Sequence, residues 1–180
     1  SKAETFVGLE PFAVLLGDDL IDAESKLLSE MLRIAEANSA NVVALMAVPT
    51  NEVNRYGIVE PGIRTGDIFE IKQLVEKPTI DTAPSNFAVI GRYVLQPGIF
   101  NVLRNLKPGV GGEYQLTDAL NEMALNPTIA GPVIGLVFGG RRFDTGDRLS
   151  YLKTIVEIAS EREDLGEEFS SWLKTFSQRL

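Results

Sequence analysis

Apolar residues fall along this chain in short unbroken runs and in helical stripes, and seldom in simple alternation. The run "FAVLL" (12–16) ends in Gly17, Asp18 and Asp19. Neither face of such a run shows the alternation of a half-wet strand, so it predicts a strand buried on both faces of a parallel sheet. Leu27, Leu28, Met31, Leu32 and Ala35 then recur at helical spacing, and "ANSAN" closes that helix with weak helix formers. "NVVALMAV" (41–48) is a second buried-strand pattern, so a strand, helix, strand unit of parallel type is expected. Residues 56–75 change to short strands with glycine turns, an antiparallel excursion. Beyond it, 86–95 reads as a strand, 97–106 as a short helix, 112–125 as another helix, 132–138 as a strand and 149–160 as a helix. After Gly166, the residues Phe169, Trp172, Leu173, Phe176 and Leu180 form one apolar stripe on a C-terminal helix (164–180). No internal repeat, low-complexity tract or interdomain linker interrupts residues 1–180, which read as part of a single domain.

Composition narrows the chemistry more than the fold. The chain is 44% hydrophobic and 23% charged, ordinary for a soluble globular protein. A formal charge of -8 argues against a nucleic-acid or membrane-surface binder, because both rely on clustered Lys and Arg to meet phosphate. The absence of Cys and His removes thiolate nucleophiles, zinc-thiolate sites and the commonest neutral-pH base. Carboxylates, lysine, arginine and the backbone remain, a set suited to hard cations such as Mg²⁺. With no apolar run near the roughly 20 residues that span a bilayer, and no signal-peptide pattern at its start, the chain reads as cytoplasmic.

Three places carry candidate chemistry. Asp18 and Asp19 follow a buried strand, which is where open α/β sheets bind ligands, although "GDD" also suits a solvated turn or a helix cap. In "RRFDTGD", Asp144 follows another apolar strand, and carboxylates from two strand ends could converge on one Mg²⁺ that also holds phosphate oxygens. "VEKP" (75–78) sets Glu76 beside Lys77 at a strand end, with Pro78 stopping the ladder. The pair is either an exposed turn or a sugar-phosphate site, with Lys77 as a point charge for phosphate and Glu76 as acceptor for hydroxyls. Gly57, after Tyr56, serves either a turn or a close approach to the backbone.

Taken in order, "FAVLLGDDLID", "NRYGIVE", "VEKP", "APSNFAVIGRYVL", "GEYQLTDAL" and "FDTGDRLSYL" resemble the bacterial UTP–glucose-1-phosphate uridylyltransferases (UDP-glucose pyrophosphorylases) of the sugar nucleotidyltransferase superfamily. The resemblance covers nearly the whole chain. It implies an α/β, Rossmann-like nucleotide-diphospho-sugar transferase fold, a mixed sheet flanked by helices, and a reaction that joins UTP to glucose 1-phosphate with Mg²⁺. Matched to the family's motifs, Asp18 and Asp144 are implied metal ligands, Glu76 the sugar-binding glutamate and Lys77 the phosphate-binding lysine. Gly57 matches a glycine that faces the sugar, and Glu113 lies in a segment near the sugar pocket. Homo-oligomer contacts through the C-terminal helices are also implied. A phosphate oxygen is already an ionised nucleophile, so a site of this kind works without His or Cys.

The chain departs from that pattern at its start. It lacks the G-x-G-T-R loop and the P-x-T-K stretch that hold the nucleotide triphosphate, so it reads as the C-terminal part of a larger enzyme, inactive alone, with an incomplete sheet edge at its first strand. Two other readings keep the same fold: a thymidylyl- or adenylyltransferase on the same sugar phosphate, and a noncatalytic sugar-phosphate-binding domain.

Overall fold

The computed structural model describes residues 2–22, 24–109 and 112–179. These fall into two compact units, one drawn from the described residues within 1–16 and 24–140, the other from those within 17–23 and 141–180.

The larger unit is built on a mixed six-stranded sheet. After a short helix α1 (Glu4–Val7) come β1 (Phe12–Leu15), α2 (Leu27–Asn38), β3 (Asn41–Ala47), β4 (Gly57–Thr65), β5 (Ile68–Glu76), β6 (Phe87–Leu95), α3 (Ile99–Asn105), α4 (Leu116–Leu125) and β7 (Val133–Val137); β2 (Asp19–Ile21) belongs to the other unit. The strand order is β1-β6-β3-β7-β5-β4. β3 is the strand its unbroken apolar run predicts, buried from Asn41 to Leu45. It lies parallel to β7 and antiparallel to β6. Val43 and Leu45 enter the main core with Ile99, Phe100 and Val102 of α3 and Leu120 and Met123 of α4. On a pleated strand the residues between them face the other way. That side is where α2 packs, burying Met31, Ile34 and Ala35. The left-handed Ser39 (φ 48°) ends α2, its N–H donating to the carbonyls of Ala35 and Glu36.

Two expectations for β1 need correction. Among the described residues β1 is the terminal strand of the sheet, and it pairs antiparallel with β6 alone. Its burial alternates, Phe12 and Val14 half-buried and Ala13 and Leu15 exposed. An unbroken apolar run records that both faces tolerate apolar contact, but neighbours elsewhere in the chain decide whether either face is covered. β1 and β3 do run in the same direction, as the strand, helix, strand reading expects, but β6 lies between them.

The antiparallel excursion is a single hairpin of two nine-residue strands, longer than expected, turned at Gly66 (φ 62°). A 3₁₀ segment, Thr50–Arg55, leads into it. The helix expected over 112–125 starts only at Leu116, so Glu113 sits in the preceding loop.

The smaller unit holds a ribbon that periodicity did not reveal, because its strands have three residues each. β2 (Asp19–Ile21) pairs antiparallel with β8 (Arg142–Asp144), setting Asp19 opposite Asp144. α5 (Arg148–Glu161) follows, its first turn capped by the Asp147 carboxylate, which accepts from the Ser150 N–H at 2.9 Å. α6 (Gly166–Ser177) packs against α5. Before α6, Arg162 binds both carboxylate oxygens of Asp164, and this hydrogen-bonded guanidinium holds that carboxyl below the ordinary carboxylate range. On α6 the rings of Phe169, Trp172 and Phe176 follow one another, Phe169 tilted against Trp172 and Trp172 stacked on Phe176, centroids 5.7 and 5.2 Å apart, with Trp172 55% exposed. Leu180 lies outside the described residues.

Candidate active site

Each unit presents one constellation of the predicted residues. In the smaller unit the short ribbon does the positioning. The Asp18 carbonyl accepts from both the Thr145 N–H (2.7 Å) and the Thr145 hydroxyl (2.9 Å), which extends the β2–β8 pairing one step and ties Asp18 to the residue after Asp144. Asp144 Oδ1 accepts the Gly146 N–H at 3.0 Å. A Cβ on Gly146 would stand 3.0 Å from Asp18 Oδ2 and 3.4 Å from Asp144 Oδ1. The two carboxylates therefore border the one small space that a glycine leaves open.

The two adjacent acids have different fates. Asp18 is exposed beside that space, whereas Asp19 is 7% exposed and hydrogen-bonded to Nε of Arg142, itself nearly buried. Arg142 Nη2 also lies 3.7 Å from Asp144 Oδ2. Asp19 is thus committed to an internal ion pair, and Asp18 is the acid facing outward. Among the described residues no group of three or more carboxylates gathers as an all-protein metal cage. Mg²⁺ commonly binds through one or two carboxylates and completes its shell with water and substrate phosphate. Asp18 and Asp144 around the Gly146 space fit that donor set.

In the larger unit the hairpin sets Gly57 directly opposite Glu76. The Glu76 side chain is 10% exposed, and its Oε2 lies 3.2 Å from where a Gly57 Cβ would stand. Thr117, in the first turn of α4, reaches the same point, its Oγ1 at 2.9 Å. A side chain at 57 would fill the recess that Glu76 and Thr117 border. Lys77 follows in the left-handed region (φ 45°), where its N–H donates to the Tyr56 carbonyl at 3.0 Å. Non-glycine residues seldom adopt this conformation. It turns the chain between β5 and buried Pro78 and leaves the ammonium half-exposed, 3.7 Å from Glu76 Oε1. The recess thus pairs a nearly buried acceptor with a half-exposed cation.

Glu113 is exposed and accepts from the Gln115 amide at 3.1 Å, with its carbonyl taken by the Gly109 N–H. Thr117 and Gly146 were not singled out from sequence. A small residue beside a strand-end acid was the available signal, and it is too common to select a site alone.

Comparison with known proteins adds a lineage. A model of the family described as Nucleotidyl transferase matches residues 1–161. A UTP–glucose-1-phosphate uridylyltransferase from Staphylococcus haemolyticus is 41% identical over 172 residues, 96% of this chain and 58% of the relative. A crystal structure of UDP-glucose pyrophosphorylase complexed with UDP-glucose superposes with a TM-score of 0.82 at 36% identity, over 89% of this chain and 60% of that one. A UTP-bound UGPase from Acinetobacter baumannii gives 0.81 at 35% identity, over 95% and 58%. The chain spans 58% of the curated relative's length.

Proposed function

The chain belongs to the nucleotidyl transferase family, and from that premise we propose that it carries the sugar-phosphate and cation parts of a UTP–glucose-1-phosphate uridylyltransferase. The observation that carries this reading is the recess at Gly57. It combines a nearly buried carboxylate, a threonine hydroxyl and an adjacent lysine, the acceptor, donor and point charge that a phosphorylated sugar needs. The solved structures with UDP-glucose and with UTP support the same substrate class.

In this reading Glu76 accepts hydrogen bonds from ring hydroxyls, and Thr117 supplies a further polar contact at the floor of the recess. Lys77 meets the phosphate, whose oxygen is the nucleophile for the α-phosphorus of UTP. Glu113 serves the sugar side from the loop before α4. Asp18 and Asp144 would hold Mg²⁺, which when bound offsets negative charge on phosphate oxygens. No side chain needs to take or give a proton. The nucleobase contacts belong to the length of the relatives that this chain does not span. The family's charged substrates do not cross bilayers, and no described helix is long and apolar enough to cross a membrane, which supports a cytoplasmic enzyme.

In a protein of the relatives' full length that contains this segment, Glu76→Ala is expected to raise KM for glucose 1-phosphate while KM for UTP stays near its original value. Leaving a sugar hydroxyl unpaired in a partly dry recess costs about 1–3 kcal/mol. Steady-state kinetics with each substrate varied separately is the check, and unchanged use of glucose 1-phosphate would remove Glu76 from the sugar site.

The aromatic ridge of Phe169, Trp172 and Phe176, together with exposed Leu149 and Leu152 on α5, supports a homo-oligomer in the full-length enzyme. Trp172→Glu is expected to yield folded protomers of lower order by light scattering. An unchanged oligomer with unchanged melting takes this helix out of the interface.

A further inference from the structure

β5 has two strand partners along its first residues and one along the rest. It pairs with β4 from Ile68 to Glu76, but with β7 only at Ile68, Phe69 and Glu70. The Lys77 N–H donates to the Tyr56 carbonyl, and bonded and non-bonded positions alternate along an antiparallel ladder. Counting back from that bonded pair, Val75↔Ile58 is bonded, while Glu76↔Gly57 and Leu74↔Val59 are not. The Leu74 N–H therefore points away from β4, toward the side that β7 has left. On the opposite side of the hairpin the Val59 carbonyl likewise faces outward, and there the Ser85 hydroxyl donates to it at 2.6 Å.

Leu74 is 3% exposed, and buried backbone donors seldom go unpaired. Its partner is a side chain. Oδ1 of Asn121, on α4, accepts the Leu74 N–H at 2.9 Å. Residues four apart share one face of a helix, so Thr117 lies on the Asn121 face, one turn toward the start of α4 and about 6 Å along its axis. Glu76 lies two residues beyond Leu74, about 6.6 Å along β5. The two steps are nearly equal, and at their far ends Thr117 Oγ1 and Glu76 Oε2 come within 2.9 and 3.2 Å of the same point beside Gly57. Apolar contacts between α4 and β5 are not directional and permit a helix to slide along a strand. A hydrogen bond to one strand amide is directional and stops that sliding.

We propose that Asn121 is a positioning residue for the Gly57 recess: by holding α4 to the Leu74 amide it sets the level at which the Thr117 hydroxyl faces Glu76. Asn121 acts through Thr117 and not by contact with the sugar. The pin itself rests on the ladder and the Leu74 bond, whereas its consequence for a sugar phosphate rests on the uridylyltransferase reading.

The test is a double-mutant cycle in a protein of the relatives' full length that contains this segment. Asn121→Leu puts methyl groups where the amide stands, and Thr117→Val does the same for the hydroxyl. Each single change is expected to raise KM for glucose 1-phosphate by about 3–10-fold, the range that one hydrogen bond controls, with KM for UTP unchanged. Because both changes act at one contact, the double variant is expected to match Thr117→Val alone instead of multiplying the two effects. Asn121→Asp keeps an oxygen for the Leu74 N–H and should restore KM. Amide exchange reads the pin without turnover: Leu74 is expected to exchange at least about 10-fold faster in Asn121→Leu and to recover in Asn121→Asp. Should Asn121→Leu fail to fold, Asn121→Gln displaces the same acceptor by one methylene and takes its place in the cycle. Multiplied effects in the double variant overturn the proposal, as does a KM for UTP that rises as much as that for glucose 1-phosphate. Thr117→Val with its effect and Asn121→Leu with a fast Leu74 amide but unchanged KM spares the uridylyltransferase reading and overturns the pin alone. Thr117→Val without effect overturns both the sugar assignment of the recess and the role given to Asn121.

Discussion

On the proposed uridylyltransferase reading, asparagine in place of Asp18 or Asp144 is expected to lower turnover of a protein of the relatives' full length by at least about 100-fold, the usual scale for losing one preorganised group that stabilises charge in a phosphoryl or acyl transition state. Stability should hardly change for Asp18→Asn and fall only modestly for Asp144→Asn, whose carboxylate also lies 3.7 Å from Arg142 Nη2. Asp18 is exposed and its structural bonds are made by its backbone carbonyl, which asparagine keeps. Asparagine at 144 retains an Oδ1 that can accept the Gly146 N–H. Turnover at saturating UTP and glucose 1-phosphate over a range of Mg²⁺, beside a thermal melt, separates the two quantities. Melting points that fall with turnover would show that these carboxylates act on the fold and would sink the cation assignment. Rescue of turnover by raised Mg²⁺ would mark a weakened cation site.

The neighbouring acid should behave in the opposite way. Asp19 and Arg142 form an ion pair in which both side chains are about nine-tenths covered. Removing Asp19 leaves the nearly buried Arg142 with a weaker set of carboxylate partners, Asp144 lying 3.7 Å away, and losses on breaking a buried pair run to about 3–5 kcal/mol. Asp19→Ala is therefore expected to unfold the β2–β8 ribbon at much lower denaturant than the parent, measured by exchange of amides in β2 and β8. The double replacement Asp19→Leu with Arg142→Met should recover much of that loss, because an apolar pair of similar volume needs no desolvated charges. A single-site loss below about 1 kcal/mol would place the pair in the class of weak surface bridges. With Asp18→Asn, this makes a matched comparison: two acids adjacent in sequence, one expected to cost turnover and the other stability.

That contrast marks how far the residues could be read in one dimension. The "GDD" turn announced two acids after a strand, but nothing in their order tells which is exposed. The difference arises because Arg142, 123 positions away in sequence, comes opposite through a ribbon of two three-residue strands. Three residues are too few for a period, so β2 and β8 left no hydrophobic signal. The hairpin of β4 and β5 had glycine turns to mark it, and "VEKP" had proline to mark its end. The Gly57–Glu76 apposition follows from that hairpin register, whereas Thr117 joins it only because α4 packs on β5.

Local chemistry in the sequence determined the elements with strong periods: α2 and its stop at Ser39, the buried β3, the hairpin, α5 and the aromatic stripe of α6. It also set the reach of the chemistry, since a chain without Cys or His can work only through carboxylates, cationic side chains and backbone. Tertiary structure alone decided that β1 is a half-exposed antiparallel edge strand, that Asp19 is internal while Asp18 is not, and that Glu113 lies outside α4. The reason is common to all three. Propensity and periodicity act over a few neighbouring residues, whereas burial, charge pairing and edge position depend on which distant segment arrives alongside, and that is settled only when the whole sheet forms.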